Sequence, residues 1–112
     1  MTRRLIIAAG LAVALTLGFP LLAAANGGAV HEVGIKKFSF NPPEVTINVG
    51  DTVRWVNKEK RQYHSVWFEE LGEEQADYFF PDEYFERTFD KPGSYPYRCG
   101  PHEEMRGVVH VK

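Results

Sequence analysis

Residues 44–57 read Glu-Val-Thr-Ile-Asn-Val-Gly-Asp-Thr-Val-Arg-Trp-Val-Asn. Val45, Ile47 and Val49 alternate with Glu44, Thr46 and Asn48, the period of two that marks a half-buried strand. Gly50-Asp51 is turn chemistry, and beyond it Val53 and Trp55 continue one apolar face while Thr52, Arg54 and Val56 take the other. The rest of the chain repeats this grammar of short runs and turn residues. A third run surrounds His64 to Phe68, Phe85 and Phe89 mark a fourth, Pro92-Gly93 turns into Tyr95, Tyr97 and Cys99, and Val109 and Val111 close the chain. Glu69 to Asp82, rich in carboxylates, reads as a solvated acidic loop or a single helical turn, with Tyr78 to Phe80 returning apolar surface to the body. No segment after residue 25 sustains the 3.6-residue period of a core helix. The predicted fold is all-β, an antiparallel Greek-key β-sandwich.

The N-terminal segment stands apart. Arg3-Arg4 is followed by an uncharged apolar run over residues 5–18, then by Pro20 and by Ala23-Ala24-Ala25. That order predicts a signal peptide over residues 1–25. The alternative, a retained membrane helix, fits Pro20 and the alanine run less well. The expected mature chain, residues 26–112, is large enough for one core and too small for two domains. Losing Arg3 and Arg4 from the 13 basic residues leaves 11 against 15 acidic ones, a formal net charge of −4. This balance argues against nucleic acid and favours a basic protein surface as partner. An exported chain with one cysteine has no intrachain disulfide, so the thiol calls for another explanation, such as a metal.

Cys99-Gly100-Pro101-His102-Glu103-Glu104-Met105 supplies one. A thiolate, an imidazole and a thioether follow one another at three-residue spacing, and soft sulfur with imidazole suits copper in both of its common oxidation states. A structural zinc site has no use for a thioether. The segment needs a second histidine from elsewhere, and His64, at the start of an extended run between Tyr63 and Trp67, is the best candidate. Four protein ligands leave no open position for substrate, which argues against an enzyme. Two readings share these ligands: a one-electron carrier, and a copper storage or delivery protein.

Phe40-Asn41-Pro42 with Val45, the stretch Gly50 to Asn57 leading to His64, the turn Pro92-Gly93-Ser94-Tyr95, and Cys99 to Val111 with Pro101 and Arg106-Gly107 together resemble the cupredoxins, the type 1 blue-copper family. The two-residue gap between His102 and Met105 is particular to the amicyanins. The resemblance implies a trigonal set of His64, Cys99 and His102, a long axial bond from Met105, and His102 as the exposed edge for electrons. It implies a periplasmic, monomeric carrier that exchanges electrons with a c-type cytochrome or a redox enzyme. Asn57 is expected to tie the lead-in of His64 to the ligand loop, Ser65 to donate toward Cys99, and Tyr95 to form a structural tyrosine corner. Glu103 and Glu104 beside His102, and Tyr63 before His64, depart from the apolar docking face of amicyanins, which favours a basic c-type cytochrome over methylamine dehydrogenase. The lead before residue 31 is shorter than in amicyanins, so the first strand is expected to be short or absent.

Overall fold

The computed structural model describes residues 28–112, and the signal peptide expected at 1–25 lies outside them. Seven strands follow in order: β1 (Val30–Lys36), β2 (Ser39–Asn41), β3 (Glu44–Ile47), β4 (Thr52–Asn57), β5 (Tyr84–Thr88), β6 (Gly93–Arg98) and β7 (Arg106–Val111), with a single 3-10 turn at Glu69–Leu71. They form two sheets, one ordered β2-β1-β4-β5 and the other β3-β7-β6. The all-β sandwich is as expected, but its sheets are mixed. β1 runs parallel to β4 and β3 parallel to β7, because in each pair the intervening chain crosses to the opposite sheet before it returns.

Alternation in β4 does what its sequence requires. Val53, Trp55 and Asn57 point into the sandwich and are fully buried, while Arg54 faces out to pair with Glu86 of β5. Trp55 meets Tyr97 of the facing sheet edge-on at 5.2 Å between centroids, and Tyr97 meets Phe40 at 4.8 Å, so aromatic rings from both sheets interlock at the centre of the core. Ile47, Val109 and Val111 complete the inner face of the second sheet.

The turn before β4 is fixed by Asp51. Its buried carboxylate accepts the backbone N–H of Asn48 at 3.0 Å and of Ala29 at 2.9 Å, and meets the ring of His31 at 2.9 Å. Gly50 adopts φ +93°, which lets the chain double back there. This one side chain thus joins the β3–β4 turn to the start of β1, and parallel pairing runs from Val30↔Thr52 to Ile35↔Asn57.

Three local expectations are corrected. β1 is seven residues long, not short or absent, because the Asp51 contacts anchor it from Ala29 onward. Val49 is exposed, since β3 ends at Ile47 and the N–H of Asp51 closes a turn on the carbonyl of Asn48. The run at His64 to Phe68 is not a strand: it makes isolated bridges, His64 with Phe79 and Trp67 with Arg98, while Val66 and Phe68 enter the core. The tyrosine corner is present, with the Tyr95 hydroxyl donating to the carbonyl of Lys91 at 2.8 Å.

Candidate metal centre

His64 and the 99–105 loop meet at one end of the sandwich. Backbone hydrogen bonds in both directions between His64 and Phe79 fix the main chain of the histidine. The loop is pinched shut at its base, where the N–H of Cys99 donates to the carbonyl of Met105 and the N–H of Met105 to that of His102, each at 3.0 Å. Cys99 leaves the end of β6 and Met105 enters β7, so both sulfur side chains are held by adjacent antiparallel strands.

The donor atoms converge. Cys99 Sγ lies 3.6 Å from His64 Nδ1 and 3.4 Å from His102 Nδ1, and all three lie within 4.8 Å of one another. Metal bonds of about 2.3 Å to sulfur and about 2.0–2.1 Å to nitrogen, opened to 110–120°, would separate N from S by roughly 3.6–3.8 Å. The two observed sulfur–nitrogen distances, 3.6 and 3.4 Å, lie close to that spacing. His64 and Cys99 are inaccessible to solvent and Met105 is nearly so, whereas His102 is half-buried.

Burial sets the charges. It pushes the Cys99 thiol up, against the pull of the Ser65 and His102 N–H groups, and it pushes His64 down, opposed by Glu59. A neutral imidazole with its Nδ1 lone pair turned toward a buried sulfur is the protonation state that a soft cation needs. His64 Nε2 lies 3.2 Å from Glu59 Oε2, which assigns its proton to that nitrogen and leaves Nδ1 free.

Two neighbours escaped the sequence reading. Glu59 has a 12 % exposed side chain, and the oxygen that meets His64 also accepts the N–H of Phe38 at 2.9 Å. Phe38 stands edge-on to both imidazoles, 4.9 Å from His102 and 5.9 Å from His64. No local signal marks either residue: a glutamate five positions before a histidine, and an aromatic at a hairpin tip, are ordinary features.

Asn57 and Ser65 act differently from expectation. Asn57 donates to the carbonyls of Gln62 and Phe79 and accepts the N–H of Glu59, bracing the 57–62 loop without reaching the ligand loop. That bridge belongs to Ser65, whose hydroxyl accepts the N–H of Gly100 at 2.9 Å and contacts Gln75 Oε1 at 3.0 Å. The group of Ser65 that faces Cys99 Sγ is its backbone N–H, at 3.4 Å. His31 and His110 pair with Asp51 and Glu44, and among the described residues only His64, Cys99 and His102 form a cluster able to hold a metal.

Residues 28–112 match the family model for copper binding proteins of the plastocyanin/azurin family. The chain belongs to that family. Amicyanin of Paracoccus versutus is 43 % identical over 84 residues, covering 71 % of this chain and 63 % of that protein. Amicyanin of Paracoccus denitrificans is 36 % identical over 97 residues, covering 83 % and 73 %. The crystal structure of the Paracoccus versutus protein superposes with a TM-score of 0.68 at 38 % identity, covering 74 % of this chain and 81 % of that one. This cupredoxin takes one copper ion at a type 1 site, in keeping with a family of copper binding proteins.

Proposed function

We propose that this cupredoxin is a periplasmic one-electron carrier, with residues 1–25 removed on export and residues 26–112 forming a single copper-binding domain. His64, Cys99 and His102 would hold the ion, with the Met105 thioether as the fourth donor. Bound copper supplies a one-electron Cu(I)/Cu(II) couple. The chain supplies the rest: a thiol and a histidine with no solvent access, a ligand loop closed by two backbone hydrogen bonds, and one half-buried imidazole as the edge through which electrons pass.

The observation that carries the reading is this asymmetry of exposure. A site that delivers copper needs ligands a recipient can reach, whereas His64, Cys99 and Met105 are sealed and only His102 reaches the surface. A carrier benefits from the same sealing, because donors held by β6, β7 and the His64–Phe79 backbone bridge change little between oxidation states. Glu103, strongly exposed and 3.7 Å from Arg98 Nη1, and Glu104 give one flank of His102 negative charge suited to a basic c-type cytochrome.

One equivalent of Cu(II) added to the purified mature chain should produce an intense visible band that bleaches on reduction and returns on reoxidation. Cys99→Ser should abolish the band, because a hydroxyl cannot replace the soft thiolate. A full band in the Ser variant, or copper lost on every reduction, would remove the carrier reading.

A further inference from the structure

The opposite flank of His102 carries the opposite charge. The parallel register that ends at Ile35↔Asn57 sets Lys36-Lys37 beside Lys58 to Arg61, two segments more than twenty positions apart in the chain. Lys36, Lys37, Lys58, Lys60 and Arg61, with Glu59 and Gln62, line an open groove of about 400 Å³. All five cations are exposed. Lys58 pairs with Glu32 at 2.9 Å, and among the described residues the other four make no ion pair, whereas Arg54, Arg87 and Arg98 are all matched by carboxylates.

The one carboxylate in the groove cannot neutralise the rim. Glu59 turns inward, where its Oε2 meets Phe38 N–H and His64 Nε2. The rim is therefore tied, through a single oxygen, to a metal-ligand imidazole. Lys37 and Phe38 adopt φ values of +54° and +57°, a left-handed pair built without glycine or asparagine. Such backbone is unfavourable for ordinary residues and persists only where neighbours hold it. Its consequence is to present the 42 % exposed ring of Phe38 against His102 with Lys37 beside it. An apolar contact over the electron-transfer edge, with unpaired cations alongside, is the layout of a docking surface with an apolar centre and a charged rim.

We infer that the Lys36, Lys37, Lys60 and Arg61 rim, with Phe38, is a docking surface for the acidic face of a second redox protein. The inference rests on the carrier reading: a carrier meets a donor and an acceptor in turn at one exposed imidazole, and opposite charge on its two flanks lets partners of opposite charge each approach the same edge. Glu69 and Glu103, both paired with Arg98, belong to the acidic flank, so the charge changes sign across the ligand loop. The occupant is a protein bearing carboxylates around its redox group, since five exposed cations around one groove, with the exposed Phe38 ring next in the chain to Lys37, suit an acidic surface with an apolar centre.

The test uses the copper-loaded protein and two forms of one electron acceptor, native basic cytochrome c and the same cytochrome with its lysines succinylated. Transfer from the reduced cupredoxin to the succinylated form should slow as salt is added. Lys36→Gln, Lys37→Gln, Lys60→Gln and Arg61→Gln combined should lower that rate about tenfold or more at low ionic strength and flatten its salt dependence. The same variant should react with native cytochrome c at least as fast as the parent. The charge reversal Lys60→Glu with Arg61→Glu, which leaves the Lys37-Phe38 turn untouched, should give the same pattern, and an unaltered visible band verifies the copper site. A succinylated-form rate that rises with salt, or one that the variants leave unchanged, overturns the inference. So does slowing by phosphate beyond that of chloride at equal ionic strength, which would assign the groove to a small oxyanion. Exchange with neither cytochrome, nor with hexacyanoferrate, would instead defeat the carrier reading itself.

Discussion

Glu59→Ala removes the one group that holds both a metal-ligand imidazole and the hairpin above it. In the metal-free protein two interactions are lost. The Phe38 N–H lies in an exposed turn where water can replace the carboxylate, so its loss is worth about 1 kcal/mol. His64 has no solvent access, and leaving Nε2–H without an acceptor costs about 1–3 kcal/mol. Together they amount to roughly 3 kcal/mol, or about 12–24 °C in Tm at the 4–8 °C per kcal/mol typical of a domain this size. Glu59→Gln keeps an oxygen in place and loses only charge assistance, so it should cost about 1–2 kcal/mol.

Thermal and urea unfolding of the metal-free variants reads the first effect, and chelator competition reads the second. Freed from its orienting carboxylate, the His64 ring should bind copper about 10–100-fold more weakly in the Ala variant, with Gln between it and the parent. An Ala variant less than about 0.5 kcal/mol below the parent would refute the argument, because a buried donor would then have lost its partner at no cost. Unchanged copper affinity beside a large loss of stability would confine Glu59 to the hairpin.

Gly107→Ala should destabilise by about 1–3 kcal/mol in urea unfolding, since a Cβ there meets the Tyr97 ring and lies 2.8 Å from the carbonyl of Pro43. Gly100→Ala puts a methyl group onto Gln75 and Ser65, and by breaking the Ser65 bridge to the ligand loop it should shift the visible band with little loss of fold stability. Asp51 is held below its ordinary 3.8, with the Asn48 N–H and the His31 ring the foremost causes. Its contribution is therefore complete above about pH 4 and lost as pH falls through the lower folded value, and Asp51→Asn should flatten acid unfolding there. Burial pushes the Tyr97 phenol up to about 12. The stability this preserves is complete below pH 10 and lost as pH rises toward 12, so Tyr97→Phe should resist alkaline unfolding better than the parent.

What could be read in the chain, and what could not, divides by the range of the interaction. β4 was legible because Val53 and Trp55 carry a local period of two, and the ligand loop because Cys99, His102 and Met105 lie within seven residues. β1 was not, since Gly34 interrupts its pattern and its pairing with β4 depends on Asp51 reaching Ala29 and His31, about twenty positions away. The turn that follows it gave no signal either. Lys37 and Phe38 adopt the left-handed geometry that Asn-Gly would announce, and Glu59 stabilises it from another segment.

The same division explains why the sequence pointed to only one kind of partner. Glu103 and Glu104 follow His102 directly, so their charge near the exposed edge needs no knowledge of the fold. The cations that balance them come from two segments, 36–37 and 58–61, neither of them near His102 in the chain. Parallel pairing of β1 with β4 brings those segments together, and the Phe38 and Glu59 contacts place them beside the imidazoles. A net negative charge is thus a poor guide to this surface: the functional quantity is the change of sign across the ligand loop, and that is a property of strand register.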